Sequence, residues 1–434
     1  MAHSLDNMNS RLFGEQREAW LWLDRSSPAV DALFAAAVFG AILFVGGLGA
    51  WTPVIVALAT PTYCLLRWEH VPALLLSCWP VLLLPGLCLL SALWSDAPGA
   101  TLRYGTFYVA TILPAILLGA GGDRLALLKG MFGIFSIYTF AGIFFGHYVL
   151  WGANGLAFAG LGGSKNLAGD VAALTLLLSG VVAMWAFSER RLAWLAGAVM
   201  TISAASYCLM ASKASGALIA VSLALPCALM WGLSRRLALS TRVAIFLFTL
   251  FVIALLVATS SVWMPPLFDM MLQSSGKDQG LTGRELLWAK ADQLIAARPL
   301  LGGGYRHFWI PGNLDAEYIW RAMGVATHYG FNFHNTPRDI EVDLGFVGLV
   351  LFSFVMAFGI VKAILATMIR PYFLGIFLCA LIVFESPRLF FELIAFHDMH
   401  YSTVLVYMIL AYGMRPDSLP MIRDISAARP AVGR

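Results

Sequence analysis

The feature that most constrains this chain is a series of apolar stretches, each about as long as a helix that crosses a bilayer. Hydrophobic residues make up 60% of the chain and charged residues only 12%, whereas soluble domains carry about 25% charged residues. Lipid suits such a surface, and in lipid the backbone must satisfy its own hydrogen bonds, which favours helices. The sequence therefore predicts an all-α polytopic membrane protein with about twelve transmembrane helices. The predicted spans are 32–49, 52–66, 71–92, 104–120, 128–149, 168–187, 192–210, 214–232, 242–262, 344–365, 371–386 and 397–414.

The distribution of lysine and arginine among the short loops predicts the orientation of these helices. Loops on one side hold most of the cations, including Arg124, Lys129, Arg190 and Arg191, and such loops face the cytoplasm. Both termini are then cytoplasmic, in agreement with an even number of spans. The predicted organisation is a cytoplasmic N-terminal segment (1–31), transmembrane helices 1–9 (32–262), a periplasmic catalytic loop with short helices (263–343), transmembrane helices 10–12 (344–414) and a cytoplasmic tail (415–434).

Other global features exclude several classes of protein. The net charge of +4 gives no sign of a nucleic-acid partner. The six cysteines lie inside apolar runs without paired spacing, so they are interpreted as small buried residues and not as a disulfide framework. The polar N-terminal segment, mixed in charge, is not typical of a cleaved signal peptide.

The predicted periplasmic loop contains a helix start with an unusual cation. Thr282 and Glu285 have the spacing of a capping box, and the helix is expected to end before Pro299. Arg284 falls in the first turn, where a cation opposes the helix dipole, which indicates an anion shared with the free N–H groups. The alternative is an exposed arginine paired with Glu285 or Asp278. The apolar face expected for this helix comprises Leu287, Ala291, Leu294 and Ile295.

A glycine run and several histidines follow. The run 302–304 before Tyr305 indicates either close approach of a ligand to the backbone or a flexible turn. His328 and His334 are candidates for a general base near neutral pH, the alternative being loop histidines bonded to backbone. Their spacing is not that of a zinc site. His397 and His400 lie near Glu385 and Glu392, but solvation of a helix end is favoured over metal binding there.

Four further cations lie at or near the outer ends of predicted spans. They are Arg103, Lys165, Lys213 and Arg388. Ionisable groups at membrane depth are costly unless they are paired or functional, and snorkelling to the interface is the alternative. Their convergence with Arg284 on one face would suit a pyrophosphate, which requires several cations.

Several short motifs follow one another in a fixed order between about residues 90 and 350. They are Trp94-Ser95-Asp96-Ala97-Pro98 with Thr101-Leu102-Arg103, Gly163-Ser164-Lys165-Asn166, Ser212-Lys213-Ala214-Ser215-Gly216, Thr282-Gly283-Arg284 with Trp288, Pro299 with the glycine run, and His334-Asn335 with Asp343-Leu344-Gly345-Phe346-Val347-Gly348. Each is weak alone. The ordered set, with the large loop between late spans, resembles the O-antigen ligase and polysaccharide polymerase superfamily.

This resemblance implies a GT-C-like glycosyltransferase of the bacterial inner membrane, with its active site facing the periplasm. Arg284 would hold the undecaprenyl pyrophosphate of the donor, and His334 would be the base on the acceptor hydroxyl. Lys213 stands where the family usually has arginine, and Asp343 where it usually has glutamate. The implied mechanism inverts the anomeric carbon and uses no metal or other cofactor. The residues expected to bind substrate are Lys213, Arg103, Lys165, Arg388, Asn335 and Tyr305.

Three functions remain open on this basis. The favoured one is a polymerase that joins lipid-linked repeat units of exopolysaccharide or O-antigen. A ligase that moves the finished glycan onto lipid A core would use the same residues with a different acceptor. A transporter or flippase is a distant alternative, because the halves lack evident symmetry and the charges gather on one face. The expected partners are the lipid-linked donor, the glycan or lipid A core acceptor, the bilayer and a chain-length regulator.

Overall fold

The computed structural model describes residues 27–151, 155–259, 261, 284–325, 328 and 330–415. The helices of the first half are α1 (Pro28–Leu43), α2 (Val45–Leu48), α3 (Trp51–Leu66), α4 (Val71–Ser77), α5 (Leu83–Leu90), α6 (Pro98–Ile116) and α7 (Arg124–Phe145). Two strands follow, β1 (His147–Trp151) and β2 (Gly155–Gly160). The later helices are α8 (Lys165–Ser188), α9 (Leu192–Ser212), α10 (Ser215–Ser234), α11 (Leu239–Ala258), α12 (Arg284–Ala297), α13 (Leu314–Ala322), α14 (Thr336–Ile369), α15 (Phe373–Glu385) and α16 (Tyr401–Gly413). Short 3-10 turns cover Trp79–Leu82, Ser91–Leu93 and Pro387–Phe390, and a π-turn covers Leu117–Gly121.

The membrane-embedded helical architecture predicted from the sequence is confirmed. Among the described residues, 7 helices are long and apolar enough to cross a membrane, and a bent pair over 71–93 raises the number to 8. Four shorter apolar helices, α1, α3, the first part of α11, and α16, also match predicted spans. A helix of 16 residues is only about 24 Å long, so length alone does not make it a span. The predicted number of twelve is therefore not confirmed.

A β-hairpin departs from the all-helical prediction. The predicted span 128–149 is too long at its end, because α7 stops at Phe145 and β1 begins at His147. Strands β1 and β2 pair antiparallel, with Tyr148 opposite Phe158 and Leu150 opposite Leu156. The Asn-Gly pair in the sequence at 154–155 is a signal for a hairpin turn that hydropathy overlooks.

Hydrogen bonds to one buried carboxylate hold together one end of the bundle. At the end predicted to be cytoplasmic, the buried Asp31 carboxylate accepts hydrogen bonds from the Tyr63 hydroxyl (2.7 Å), the Arg67 guanidinium (2.9 Å) and the Asp123 amide (2.8 Å). Three elements, α1, α3 and the start of α7, meet on this one carboxylate. The charge is therefore paired, as a buried carboxylate requires.

The described part of the loop has its own small core. Leu287 and Ala291 of α12 are buried in it, with Leu294 and Ile295 partly buried beside them, which confirms the predicted apolar face. The rest of this core comprises Phe308, Trp309, Ala316, Ile319, Trp320, Phe333 and Val342. Helix α12 ends before Pro299, as predicted. The predicted N-cap Thr282 lies outside the described residues.

The loop joins the bundle at Gly345. Helix α14 begins at Thr336, eight residues before the predicted span, and is broken where Gly345 takes φ 63° and ψ −164°. A Cβ at Gly345 would lie 2.3 Å from the Leu300 carbonyl carbon, so only glycine fits this crossing. The break separates a short helical segment of the loop from the long apolar helix that follows.

Candidate active site

The centre of the site is Glu392, in the segment between the 3-10 turn 387–390 and α16. One carboxylate oxygen, Oε1, accepts from Nη2 of Arg284 at 3.1 Å. The other, Oε2, lies 3.0 Å from Nδ1 of His334. The structure thus brings together Arg284 and His334, the two predicted catalytic residues, on one carboxylate.

Glu392 is the main residue of the candidate site that sequence reasoning missed. From the sequence it is only a neighbour of the His397 and His400 pair, and it lies 108 residues from Arg284 and 58 from His334. No local periodicity connects positions so far apart. The only available signal is a carboxylate in a short polar break between two apolar helices.

Backbone geometry fixes the direction of His334. Its φ is +52°, in the left-handed region that a non-glycine residue adopts only when its surroundings impose it. The His334 amide donates to Oδ1 of Asn332 at 2.8 Å, which stabilises this turn. The next residue, Asn335, caps α14 by accepting from the Arg338 amide at 3.1 Å. The histidine therefore stands on a rigid helix start.

The segment carrying Glu392 is fastened to the same helix start. Thr336 Oγ1 donates to the Glu392 carbonyl at 2.9 Å and accepts from the Ile394 amide at 2.8 Å. The Asn335 side chain donates to the Phe390 carbonyl at 3.1 Å. Asn335, predicted to bind substrate, thus holds two chain segments together and positions His334 and Glu392 relative to each other.

Electrostatics favour an ionised Glu392. Burial by itself would raise the pKa of this carboxyl, but the hydrogen bond from His334, together with the charges of His334, Arg284 and Arg388, brings it below its ordinary value. An ionised carboxylate accepts the Nδ1–H of the imidazole, so the geometry assigns the proton of neutral His334 to Nδ1. Nε2 then has a free lone pair, and the histidine can act as a general base.

Arg388 lies four residues before Glu392 in the chain, and its guanidinium forms two ion pairs. Its Nη1 pairs with Oε2 of Glu385 at 2.7 Å, and its Nη2 pairs with the Asp170 carboxylate of α8. The side chain is only 7% exposed. Two carboxylates already neutralise this guanidinium, so we assign it the role of joining α8 and α15 to the segment that bears Glu392.

Lys165 and Lys213 form a second pair of cations. Nζ of Lys165 lies 3.3 Å from the Lys213 carbonyl and 3.7 Å from the centroid of the Trp151 ring. Lys213 joins α9 to α10 in a left-handed conformation, with φ of 52°, and its side chain is exposed. Lys165 lies five residues before Asp170 on α8, about 7.5 Å along the helix axis. The pair therefore lies at the same end of the bundle as Arg388.

The contacts of Arg103 and Tyr305 within the described residues are with groups outside the Glu392 cluster. The exposed Arg103 guanidinium is 5.9 Å from the centroid of the Tyr104 ring, and within the described parts of the chain it pairs with no carboxylate. Tyr305 is 0% exposed and packs between Tyr108 and Phe396. A side chain without exposed surface supports the site by packing and does not line it.

Three of the motifs noted in the sequence meet at one crossing of backbone segments: the Trp94 motif, the glycine run and the Asp343 motif. Nε1 of Trp94 donates to the Leu301 carbonyl at 3.0 Å, and the Asp96 amide donates to the Gly303 carbonyl at 3.0 Å. The Gly304 amide donates to the Asp343 carbonyl at 2.8 Å. The glycine run is therefore neither a ligand cradle nor a flexible turn. It is a tight junction that fixes the loop on the bundle.

The Asp343 side chain belongs to the same junction. Its Oδ2 accepts from the Arg306 amide at 2.8 Å, and its Oδ1 lies 3.4 Å from Nδ1 of His307. Burial alone would lower the pKa of His307, but the hydrogen bond and charge of Asp343 bring it above its ordinary value. The carboxylate that stands in the motif Asp-Leu-Gly thus organises the turn after the glycine run.

The ring nitrogens of His397 and His400 contact neighbouring polar groups. Nδ1 of His397 lies 2.6 Å from the Asp398 carbonyl, and its Nε2 lies 3.3 Å from that of Gly330. Nδ1 of His400 lies 2.7 Å from the Ser402 hydroxyl. Burial, with neighbouring positive charge, lowers the pKa of both imidazoles. Among the described residues, no group of three or more His, Cys, Asp or Glu side chains could hold a metal ion.

Comparison with known proteins supports the family resemblance that the sequence motifs indicate. The model of a family described as O-antigen ligase matches residues 200–353, a stretch that includes Lys213, Arg284 and His334. The exopolysaccharide production protein ExoQ of Rhizobium meliloti (strain 1021) is 28% identical over 318 residues, which cover 72% of each of the two proteins.

Proposed function

Because the chain belongs to the O-antigen ligase and polysaccharide polymerase superfamily, we propose that it is a glycosyltransferase that transfers a glycan from undecaprenyl pyrophosphate to a sugar hydroxyl. The observation that carries this proposal is the bridging of Arg284 and His334 by Glu392. A base and a cation held side by side are what a transfer reaction with an anionic leaving group requires. The site faces the periplasm in the topology predicted from the cationic loops.

The reaction proceeds by direct displacement. Nε2 of His334 takes the proton of the acceptor hydroxyl, and the hydroxyl oxygen attacks the anomeric carbon of the donor. The bond from that carbon to the pyrophosphate oxygen breaks, and the pair of electrons leaves with the pyrophosphate. Attack from the side opposite the leaving group inverts the anomeric carbon. The imidazolium that forms is stabilised by the Glu392 carboxylate at 3.0 Å.

Arg284 stabilises the leaving pyrophosphate. In the structure its guanidinium binds Glu392 and keeps 19% of its side chain exposed, so part of the fork remains open to a second anion. Lys165 and Lys213 supply further positive charge at the same end of the bundle. Lysine offers a point charge and no planar fork, so it contributes attraction more than geometry. Arg388, Asn335 and Tyr305 act by positioning.

Among acceptors, we favour the growing end of an exopolysaccharide or O-antigen chain. ExoQ, whose match covers 72% of this chain, is named for exopolysaccharide production, which supports a polymerase. The family model is described as O-antigen ligase, so a ligase that uses lipid A core as acceptor is the second candidate. Both would use the same base and the same leaving-group cation.

The test is complementation of a deletion strain with His334→Ala, with polysaccharide size and lipopolysaccharide read on gels. Loss of polymer with accumulation of lipid-linked single units is the expected result, because general-base removal slows transfer by about 10²- to 10⁴-fold. Loss only of glycan attached to lipid A core would assign a ligase. Unchanged glycans would overturn the proposal and return a transporter to consideration.

Arg284→Ala in the same strain is expected to abolish product while the protein still inserts. The matched control is Arg321→Ala, which removes an exposed arginine of the same loop that pairs with Glu317 at 4.0 Å. Wild-type glycans with the control and none with Arg284→Ala would support the leaving-group role. Full activity of Arg284→Ala contradicts it.

A further inference from the structure

The β-hairpin 147–160 has two faces of different chemistry near its tip. Alternate residues of a strand point to opposite faces, so Leu150 and its cross-strand partner Leu156 share one face. Trp151 and its partner Gly155 share the other. A two-stranded hairpin is only marginally stable alone, so its environment on both faces matters.

One face lies against the two lysines. The Trp151 ring centroid is 3.7 Å from Nζ of Lys165. A Cβ added at Gly155 would lie 3.3 Å from Nζ of Lys213, so the ammonium rests directly on the strand backbone. This face of the hairpin therefore covers the cation pair at the ends of α8 and α9.

Near the tip, the other face is apolar and exposed, whereas farther from the tip the same face carries the buried Phe158. Leu150 is 85% exposed and Leu156 is 56% exposed. The end of α7, which comes directly before β1 in the chain, is also apolar and exposed, with Phe144 74% and Phe145 80% exposed. Exposed apolar side chains on a hairpin that follows a membrane helix mark a surface that another apolar phase covers.

The depth of this patch follows from the backbone. An open strand edge inside the hydrocarbon would leave N–H and C=O groups unsatisfied, so the hairpin cannot lie in the bilayer core. Tyr148, whose hydroxyl lies 2.9 Å from that of Tyr207 on α9, and Trp151 are residues typical of the boundary between headgroups and acyl chains. The hairpin fits that boundary, with the leucine pair towards the acyl chains.

We propose that the Leu150–Leu156 face binds the phospholipid leaflet at the loop end of the bundle, and that this holds Lys165 and Lys213 at the depth of lipid phosphate groups. The partner is the membrane itself. The first half of the proposal concerns only the hairpin. The second half, that a lipid-linked pyrophosphate meets the lysines at this depth, rests on the proposed function.

The experiment places a bimane fluorophore on Leu150→Cys in proteoliposomes. Quenching is measured with phospholipids brominated near the glycerol end or deep in the acyl chain, and with aqueous iodide. Phe248→Cys, on the exposed face of α11, is the deep control, and Arg321→Cys in the loop is the aqueous control. The protein without an introduced cysteine gives the background labelling of Cys64 and Cys227, which are partly exposed.

The expected result is loss of fluorescence with lipid brominated near the glycerol end and protection from iodide. Leu156→Cys should behave in the same way. Quenching by iodide as strong as at Arg321→Cys, without quenching by brominated lipid, would overturn the membrane contact. This readout does not depend on any enzymatic activity.

A second experiment tests whether the hairpin sets the depth of Lys165 and Lys213 in the membrane. Leu150→Glu with Leu156→Glu should raise KM for the lipid-linked donor in proteoliposomes and leave kcat near the wild-type value. Unchanged KM, with bimane quenching as expected, would overturn the link between hairpin and lysines while the membrane contact stands. If the unaltered protein transfers no glycan, the proposed function fails, and the fluorescence arm still decides the membrane contact.

Discussion

At the scale of single residues, one carboxylate binds two side chains of different chemistry. Glu392 holds the Nδ1–H of His334 and the guanidinium of Arg284 from its two oxygens. This arrangement fixes both the tautomer of His334 and the direction of the Arg284 guanidinium. Because folding lowers the pKa of Glu392 below its ordinary value, the carboxylate stays ionised at neutral pH, and both contacts are lost only in acid.

Glu392→Gln tests this positioning role through the rate of transfer. The substitution keeps the shape of the side chain but removes the charge that stabilises the imidazolium, so we expect transfer to slow by about 10²-fold. Glu317→Gln, which alters an exposed glutamate of the loop, is the control and should leave the rate unchanged.

A wild-type rate for Glu392→Gln would contradict the positioning role. A slow rate together with a lower melting temperature would also contradict it, because Glu392 would then only support the local fold. Thermal stability of the Glu392→Gln protein in detergent separates the two readings, since a correctly folded but slow enzyme retains the wild-type melting temperature.

At the scale of elements, the loop is joined to the bundle by close contact of backbones. Gly302 and Gly304 cross the segment around Asp343, and Gly304 also abuts Ser95. Ser95 Oγ lies 2.7 Å from the Thr101 hydroxyl, and Thr101 bonds the Tyr305 carbonyl at 2.9 Å. These contacts hold the start of α6 against the glycine run, and the glycine run belongs to the loop that carries the proposed catalytic pair.

Gly304→Ala is expected to destabilise the protein more than Gly312→Ala. Both glycines have positive φ, +102° and +89°, so each alanine pays a backbone strain of about 1–3 kcal/mol. Only at Gly304 would the new Cβ meet another segment, 2.3 Å from Ser95 Oγ, whereas at Gly312 nothing lies within 4 Å. The measurement is the melting temperature of each variant in detergent. Equal melting temperatures would show that the junction yields at little cost.

At the scale of the whole molecule, charge is divided between the two ends of the bundle. The turn containing Arg190 and Arg191 lies at one end of α9, and Lys213 lies at the other. The 21 residues between them make a helix about 31 Å long, the thickness of a bilayer core. The proposed catalytic pair lies at the Lys213 end, because Arg388, four residues before Glu392, pairs with Asp170 near the start of α8.

The orientation predicts which cysteine variants an impermeant thiol reagent reaches. Arg321→Cys in the loop should be labelled in cells whose outer membrane alone is permeable. Arg236→Cys, at the exposed turn between α10 and α11, should be labelled only after the inner membrane is broken. The reverse pattern would place the loop in the cytoplasm and overturn the periplasmic assignment.

The sequence alone determined the membrane-embedded helices, the loop and its apolar helix face, because hydropathy and helical period are local properties. Ordered motifs in the sequence also predicted Arg284 and His334 as catalytic residues. Only the tertiary structure decided that Glu392 joins them and that Asp170, 218 residues away in sequence, neutralises Arg388. The same holds for the use of the glycine run as a junction and for the faces of the hairpin. These features depend on contacts between distant segments, which packing creates and local sequence patterns do not record.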